Sequence, residues 1–285
     1  MTLGILETIA GARDQAFVLG GAVIACAILV LLVPAAASGT AIPELPRTPR
    51  SPGPVVDPGS PPTDPVVTII GDSISVLWGP YLGEELTGIA AVHNTAWSGQ
   101  TAESWSTSEN PAAYPDSFWQ LGREGAFGSL APAPEICTIG FATNEIVRQL
   151  VALILEFGIT AETLVPKVTR LSPDHPASLE SQIEWQRSIA EDCRARGAEV
   201  ILLRPIGAAN GWNRSESNVA VWIGFEFRRM DKLVKNLARD LDVPTVKTQV
   251  GASRYWSGSD GFHPNPSGRA VIAKRVAKKV KSLLR

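Results

Sequence analysis

The stretch SDGFHPN near the carboxyl end of the chain holds an acid, Asp260, three residues before His263, and Gly261, Pro264 and Pro266 mark the segment as a loop. Histidine changes charge near neutral pH, and a carboxylate on one ring nitrogen leaves the other free to take a proton. Such a pair is a general base in search of a nucleophile. Near the other end, GDSIS at residues 71–75 offers Ser73 directly after an apolar run, at a point where the chain enters a helix. Its hydroxyl would be presented at that turn, although Asp72 or Ser73 could equally serve only as a helix cap. NTAWSGQT places Gly99 in a loop where a backbone N–H can approach a substrate, and GFATNE presents the amide of Asn144, a donor suited to an oxyanion. Gly and Asn are also ordinary turn residues, so each signal is weak alone.

These residues need elements to bring them together. Short apolar runs at 66–70, 90–96, 135–140, 199–204 and 243–247 read as strands. Longer amphipathic stretches at 74–86, 145–157, 178–196, 217–240 and 267–284 read as helices. Nearly continuous apolar strands alternating with helices predict a three-layer α/β/α sandwich with a five-stranded, mostly parallel sheet. Working residues of such sheets gather at the carboxyl ends of the strands. Ser73, Gly99, Asn144 and the Asp260/His263 pair each follow a predicted strand.

A serine after the first strand, a glycine after the second, an asparagine after the third and Asp-x-x-His after the last together resemble the SGNH, or GDSL-type, hydrolase family. The resemblance runs from Val66 to Arg285. It implies a carboxylic-ester hydrolase with Ser73 as nucleophile, His263 as base, Asp260 as its partner, and an oxyanion hole formed by Ser73, Gly99 and Asn144. Two residues depart from the usual family pattern: Ala142 stands where Gly is frequent, and Glu145 follows Asn144 where Asp is usual. The residue types fit the implied chemistry, since a serine hydroxyl attacks esters poorly unless a base takes its proton. Of the three histidines, His93 lies within a predicted strand and reads as packed, and His175 lies in a surface loop beside Pro176. No Gly-x-Ser-x-Gly elbow, Walker loop, dinucleotide fingerprint, His-Glu-x-x-His helix or Cys-x-x-Cys pair appears, so neither metal nor organic cofactor is expected.

The 285-residue chain divides by composition. The 22 residues Ala16–Ala37 carry no charge and, at ~1.5 Å per residue, could cross the ~30 Å hydrocarbon layer as an N-terminal transmembrane helix. Residues 1–37 are therefore an anchor or a signal segment. Small residues at Ala35 and Ala37 permit cleavage after Ala37, whereas the length of the run and the single basic Arg13 before it favour a retained anchor. Residues 38–65 form a Pro-rich linker, with nine prolines in the 23 positions from Pro43 to Pro65, too proline-dense to build a core and able to hold a domain up to roughly 70 Å away. Residues 66–285 are long enough for one hydrolase domain.

With 26 basic and 28 acidic residues the net charge is −2, which gives no reason to expect nucleic acid. The basic residues of the final helix lie opposite its apolar stripe and read as a solvated face. Cys137 and Cys193 could form a disulfide in an exported domain or remain buried thiols. The expected location is the cell membrane, with an extracytoplasmic domain, or secretion after cleavage.

The expected partner is a small-molecule, glycan or lipid ester. Trp97 and Trp256 flank the motif blocks and are candidate substrate-binding residues; Trp78 and Trp105 also lie near them in sequence. The segment from about Thr101 to Pro115 reads as a polar loop forming one wall of a cleft. The leading expectation is removal of acyl groups from an envelope carbohydrate or lipid. An O-acyltransferase using the same acyl-enzyme, or a carbohydrate-binding module without catalysis, are the alternatives.

Overall fold

The structure, a computed structural model, describes residues 64–96, 99, 101–107, 134–207, 217–250, 255 and 263–285. The apolar run 16–37, Trp97, Trp256 and Asp260 lie outside the described residues.

β1 (Val66–Gly71) is buried at every position, as an apolar strand covered on both faces should be. It is followed by α1 (Ser73–Glu85), β2 (Ala91–Asn94), α2 (Ala102–Thr107), β3 (Ile136–Gly140), α3 (Thr143–Leu155), α4 (Leu179–Ala195), β4 (Glu199–Arg204), α5 (Asn218–Asp240), β5 (Thr245–Lys247) and α6 (Pro266–Leu283). The five strands form one sheet in the order β2-β1-β3-β4-β5, and every pairing is parallel. Among the described residues no helix is long and apolar enough to cross a membrane.

Helices cover both faces. On one, Val67, Ile69 and Ile201 of the sheet pack with Trp78 and Leu82 of α1 and with Ile272, Val276 and Val280 of α6. On the other, Ile70, Cys137 and Ile139 pack with Ile146 and Leu150 of α3, Ile183 of α4, and Trp222, Phe227 and Met230 of α5. The apolar stripe of α6 is thus its packed face, while Lys274, Arg275 and Lys278 are exposed. Cys137 and Cys193 are free thiols buried in contact with each other, and burial pushes the Cys193 pKa upward.

The strand order reverses between β1 and β3, because the chain leaves β1 toward β2 on one side and returns to β3 on the other. A crevice opens at the carboxyl ends of the strands at such a switch point, where open α/β sheets bind their ligands. Ser73 follows β1 and Asn144 follows β3, so the two flank this crevice.

One expectation changes. The segment assigned to a polar cleft wall contains helix α2 at its start. Trp78 and Trp105 are 1 % and 2 % exposed, so they fill the core and cannot stack on a substrate.

Candidate active site

Gly71 ends β1 against the end of β3. A Cβ built there would lie 2.5 Å from the carbonyl oxygen of Gly140 and would collide with the side chain of Ser75. Only a glycine lets the turn come that close. The chain then passes through Asp72, the N-cap of α1, whose carboxylate accepts from the N–H of Ile74 at 3.0 Å. This places Ser73 at the first position of α1, where a backbone N–H has no intrahelical acceptor.

His263 arrives from the opposite end of the chain, immediately before α6. Its loop is held by the N–H of Asn265, which donates to Tyr255 O at 2.9 Å. Asn265 in turn caps α6 by accepting from the N–H of Gly268 at 3.0 Å. Gly268 sits so close to the carbonyl oxygen of Tyr255 that no side chain would fit. The outcome is a hydrogen bond between Ser73 Oγ and His263 Nε2 at 3.0 Å, with both residues half-buried and 190 positions apart. A serine hydroxyl within hydrogen-bond distance of an imidazole nitrogen has the geometry in which the ring can take the hydroxyl proton. Asp260 falls outside the described residues, so its distance to the ring is not part of this geometry.

Gly99 is exposed and has φ +86°, a left-handed conformation that suits glycine. Asn144 stands half-buried in the first turn of α3. The departure at Ala142 does not call for glycine through a left-handed backbone, since this residue has φ −165° and ψ −46°. As N-cap of α3 it makes no side-chain capping bond. The backbone N–H groups of Ala142 and Thr143 at this end of α3 lie close enough to the Asp72 carboxylate, across the crevice, to favour its ionised form. Burial raises the pKa of Asp72, opposed by these backbone donors and by nearby His263.

The second departure, Glu145, is fully buried, and its Oε1 accepts from the N–H of Ala102 at 2.9 Å. Burial first, and the charge of Asp72 second, push its carboxyl up to about 8. Sequence reasoning took Asp72 as a helix cap and Glu145 as a neighbour of the donor; that both carboxyls join different strand-end loops was not read from the sequence.

The other histidines are elsewhere. His93 sits in β2 opposite Thr68, and burial lowers its pKa. His175 Nε2 pairs with Glu156 Oε2 at 2.9 Å and its Nδ1 accepts from the N–H of Ala177 at 3.1 Å, a surface clasp.

No family model and no curated protein matches the chain. Solved structures do. An acetylxylan esterase from Geobacillus stearothermophilus is 16% identical, with a TM-score of 0.50 over 76% of this chain and 94% of its own. A protein assigned as an arylesterase from Agrobacterium tumefaciens is 18% identical, with a TM-score of 0.51 over 76% of this chain and 99% of its own.

Proposed function

We propose that this chain, which has the fold of the SGNH hydrolases, is a serine ester hydrolase that removes acyl groups from an envelope carbohydrate or lipid. The observation that carries the reading is the 3.0 Å hydrogen bond between Ser73 Oγ and His263 Nε2 at the switch point of the sheet. A module that only binds carbohydrate has no use for a nucleophile paired with a base.

In the proposed reaction His263 Nε2 takes the proton of Ser73 as Oγ attacks the ester carbonyl carbon. The negative charge that forms on the carbonyl oxygen is met by the N–H of Ser73, reinforced by the positive end of α1, by the N–H of Gly99 and by the side-chain amide of Asn144. His263 then gives its proton to the departing alcohol oxygen, leaving Ser73 acylated. Water, deprotonated by the same imidazole, releases the acid and restores the serine. Asp260, by the family resemblance, orients the ring and stabilises its cationic form.

The envelope assignment rests on the sequence: the uncharged run Ala16–Ala37 and the Pro-rich linker would tether the domain outside the membrane, or release it after Ala37. Similarity of fold to an acetylxylan esterase is compatible with an acetylated carbohydrate as substrate. Turnover of p-nitrophenyl acetate by the full-length chain, abolished in Ser73→Ala, tests the reading; equal turnover by the variant would overturn it.

A further inference from the structure

Three loops on three strands must agree in position for one oxyanion hole to exist. Two of its proposed donors follow different strands, Gly99 after β2 and Asn144 in the first turn of α3 after β3. A hydrogen-bond donor displaced by even an ångström loses most of its effect on a developing charge, so something must fix the distance between them.

One side chain spans this gap. Glu145 is the residue after Asn144, and its Oε1 accepts at 2.9 Å from the backbone of Ala102, three residues after Gly99. Both ends of the bond are inaccessible to solvent: Glu145 and Ala102 are each 0 % exposed. The Oε2 atom is buried with no hydrogen-bond partner among the described residues, so the carboxyl group is held by the Ala102 contact more than by any second anchor. Beside it Arg148, one turn along α3, pairs with Glu103, the residue after Ala102. The first turn of the short helix α2 is therefore tied to the first two turns of α3 twice, once through backbone and once through side chain. By the resemblance, Asp is the usual residue at this position. A side chain one methylene shorter would leave the Ala102 N–H about 1.5 Å further away, beyond hydrogen-bond range.

We infer that Glu145 is a positioning residue for the oxyanion hole, setting the separation of the Gly99 and Asn144 donors through its hydrogen bond to the Ala102 backbone. The inference rests on the ester-hydrolase reading for its catalytic consequence and on geometry alone for the brace itself.

The test compares the full-length chain with Glu145→Gln, Glu145→Asp and Glu145→Ala, measuring kcat and KM for p-nitrophenyl acetate and amide hydrogen exchange at Gly99 and Ala102. Glu145→Gln keeps an acceptor for Ala102 and is expected to hold kcat within about threefold. Glu145→Asp and Glu145→Ala are expected to lower kcat about tenfold or more with KM changed less than twofold, since a lost oxyanion contact is felt in the transition state. Both should also speed exchange at Ala102. In an Asn144→Ala background the added cost of Glu145→Asp should shrink, because the two changes act on one device. If Glu145→Ala does not fold, the Asp and Gln variants carry the comparison. Folded Glu145→Asp with wild-type kcat, or with wild-type exchange at Ala102, overturns the inference. Absence of turnover in the wild type would overturn the ester-hydrolase reading instead, leaving hydrogen exchange to decide the brace.

Discussion

Ser73 Oγ and His263 Nε2 stand 3.0 Å apart although 190 residues of chain separate them. Two close backbone approaches enforce the meeting, Gly71 against Gly140 and Gly268 against Tyr255. In the proposed reaction, removing the imidazole takes away the proton acceptor while leaving the hydroxyl in place. His263→Ala should lower kcat/KM for p-nitrophenyl acetate by about 10⁴-fold or more, and because the ring is half-buried rather than core the melting temperature should fall by only a few degrees. A variant that retains a tenth of wild-type turnover would contradict the assigned role.

In the proposed reaction Asn144 acts through its side-chain amide, so truncation would remove one donor to the oxyanion and leave substrate binding in the ground state. Asn144→Ala should reduce kcat about 10²–10³-fold with KM nearly unchanged. Steady-state kinetics over a range of substrate concentrations separates the two parameters. A rise in KM alone would move Asn144 from the transition state to substrate binding.

Gly71→Ala probes the turn itself. The added Cβ would lie 2.5 Å from Gly140 O and clash with Ser75, and the first contact is with backbone that cannot rotate aside. Overpacking of this kind costs about 1–3 kcal/mol. Denaturant unfolding should show that loss, and kcat should fall with it because Ser73 is two residues on. An alanine variant as stable and as active as wild type would show that the turn has slack.

The buried carboxyl of Glu145 gives stability a pH dependence. Its folded pKa is raised to about 8 from 4.5, so between those values the folded protein holds a proton that the unfolded chain has released. Stability from this group is complete below about pH 4.5 and is lost as pH rises through about 8, by an amount on the order of a few kcal/mol. Asp72, whose ionised form disfavours a second charge, drives the shift after burial, and Arg148 opposes it. Urea midpoints at pH 5, 6.5 and 8 should fall with pH in the wild type and fall less in Glu145→Gln. Equal slopes in the two proteins would place the titration elsewhere.

Much of this architecture is legible in the sequence because parallel strands are apolar without interruption. The run VVTII and EVILLR correspond to β1 and β4, and the helix expected at 217–240 is observed as Asn218–Asp240. β2 is shorter than expected, Ala91–Asn94 rather than 90–96, as an edge strand with only half-buried residues has less to define its ends. Helix α2 escaped because AESWST is barely more than a turn and carries two serines and a threonine, all weak helix formers. Tertiary contacts hold it: Trp105 is buried, and Ala102 N–H finds its acceptor on Glu145, 43 residues away. The same separation hides the brace from a sequence reader, who sees Glu145 only as a replaced aspartate. Trp78 and Trp105 lie near the motif blocks in sequence and yet are core residues. Proximity in sequence to Ser73 and Gly99 says nothing about which face of the chain an indole takes, and both turn into the core.

The central claim is that Ser73 is a nucleophile activated by His263. A fluorophosphonate reacts covalently with an activated serine and leaves unactivated hydroxyls alone, so mass spectrometry of the labelled full-length chain reads that claim directly. An adduct on Ser73 in the wild type, and its loss in His263→Ala, is the predicted result. An unmodified Ser73 in folded wild-type protein, or equal labelling without the histidine, would contradict it.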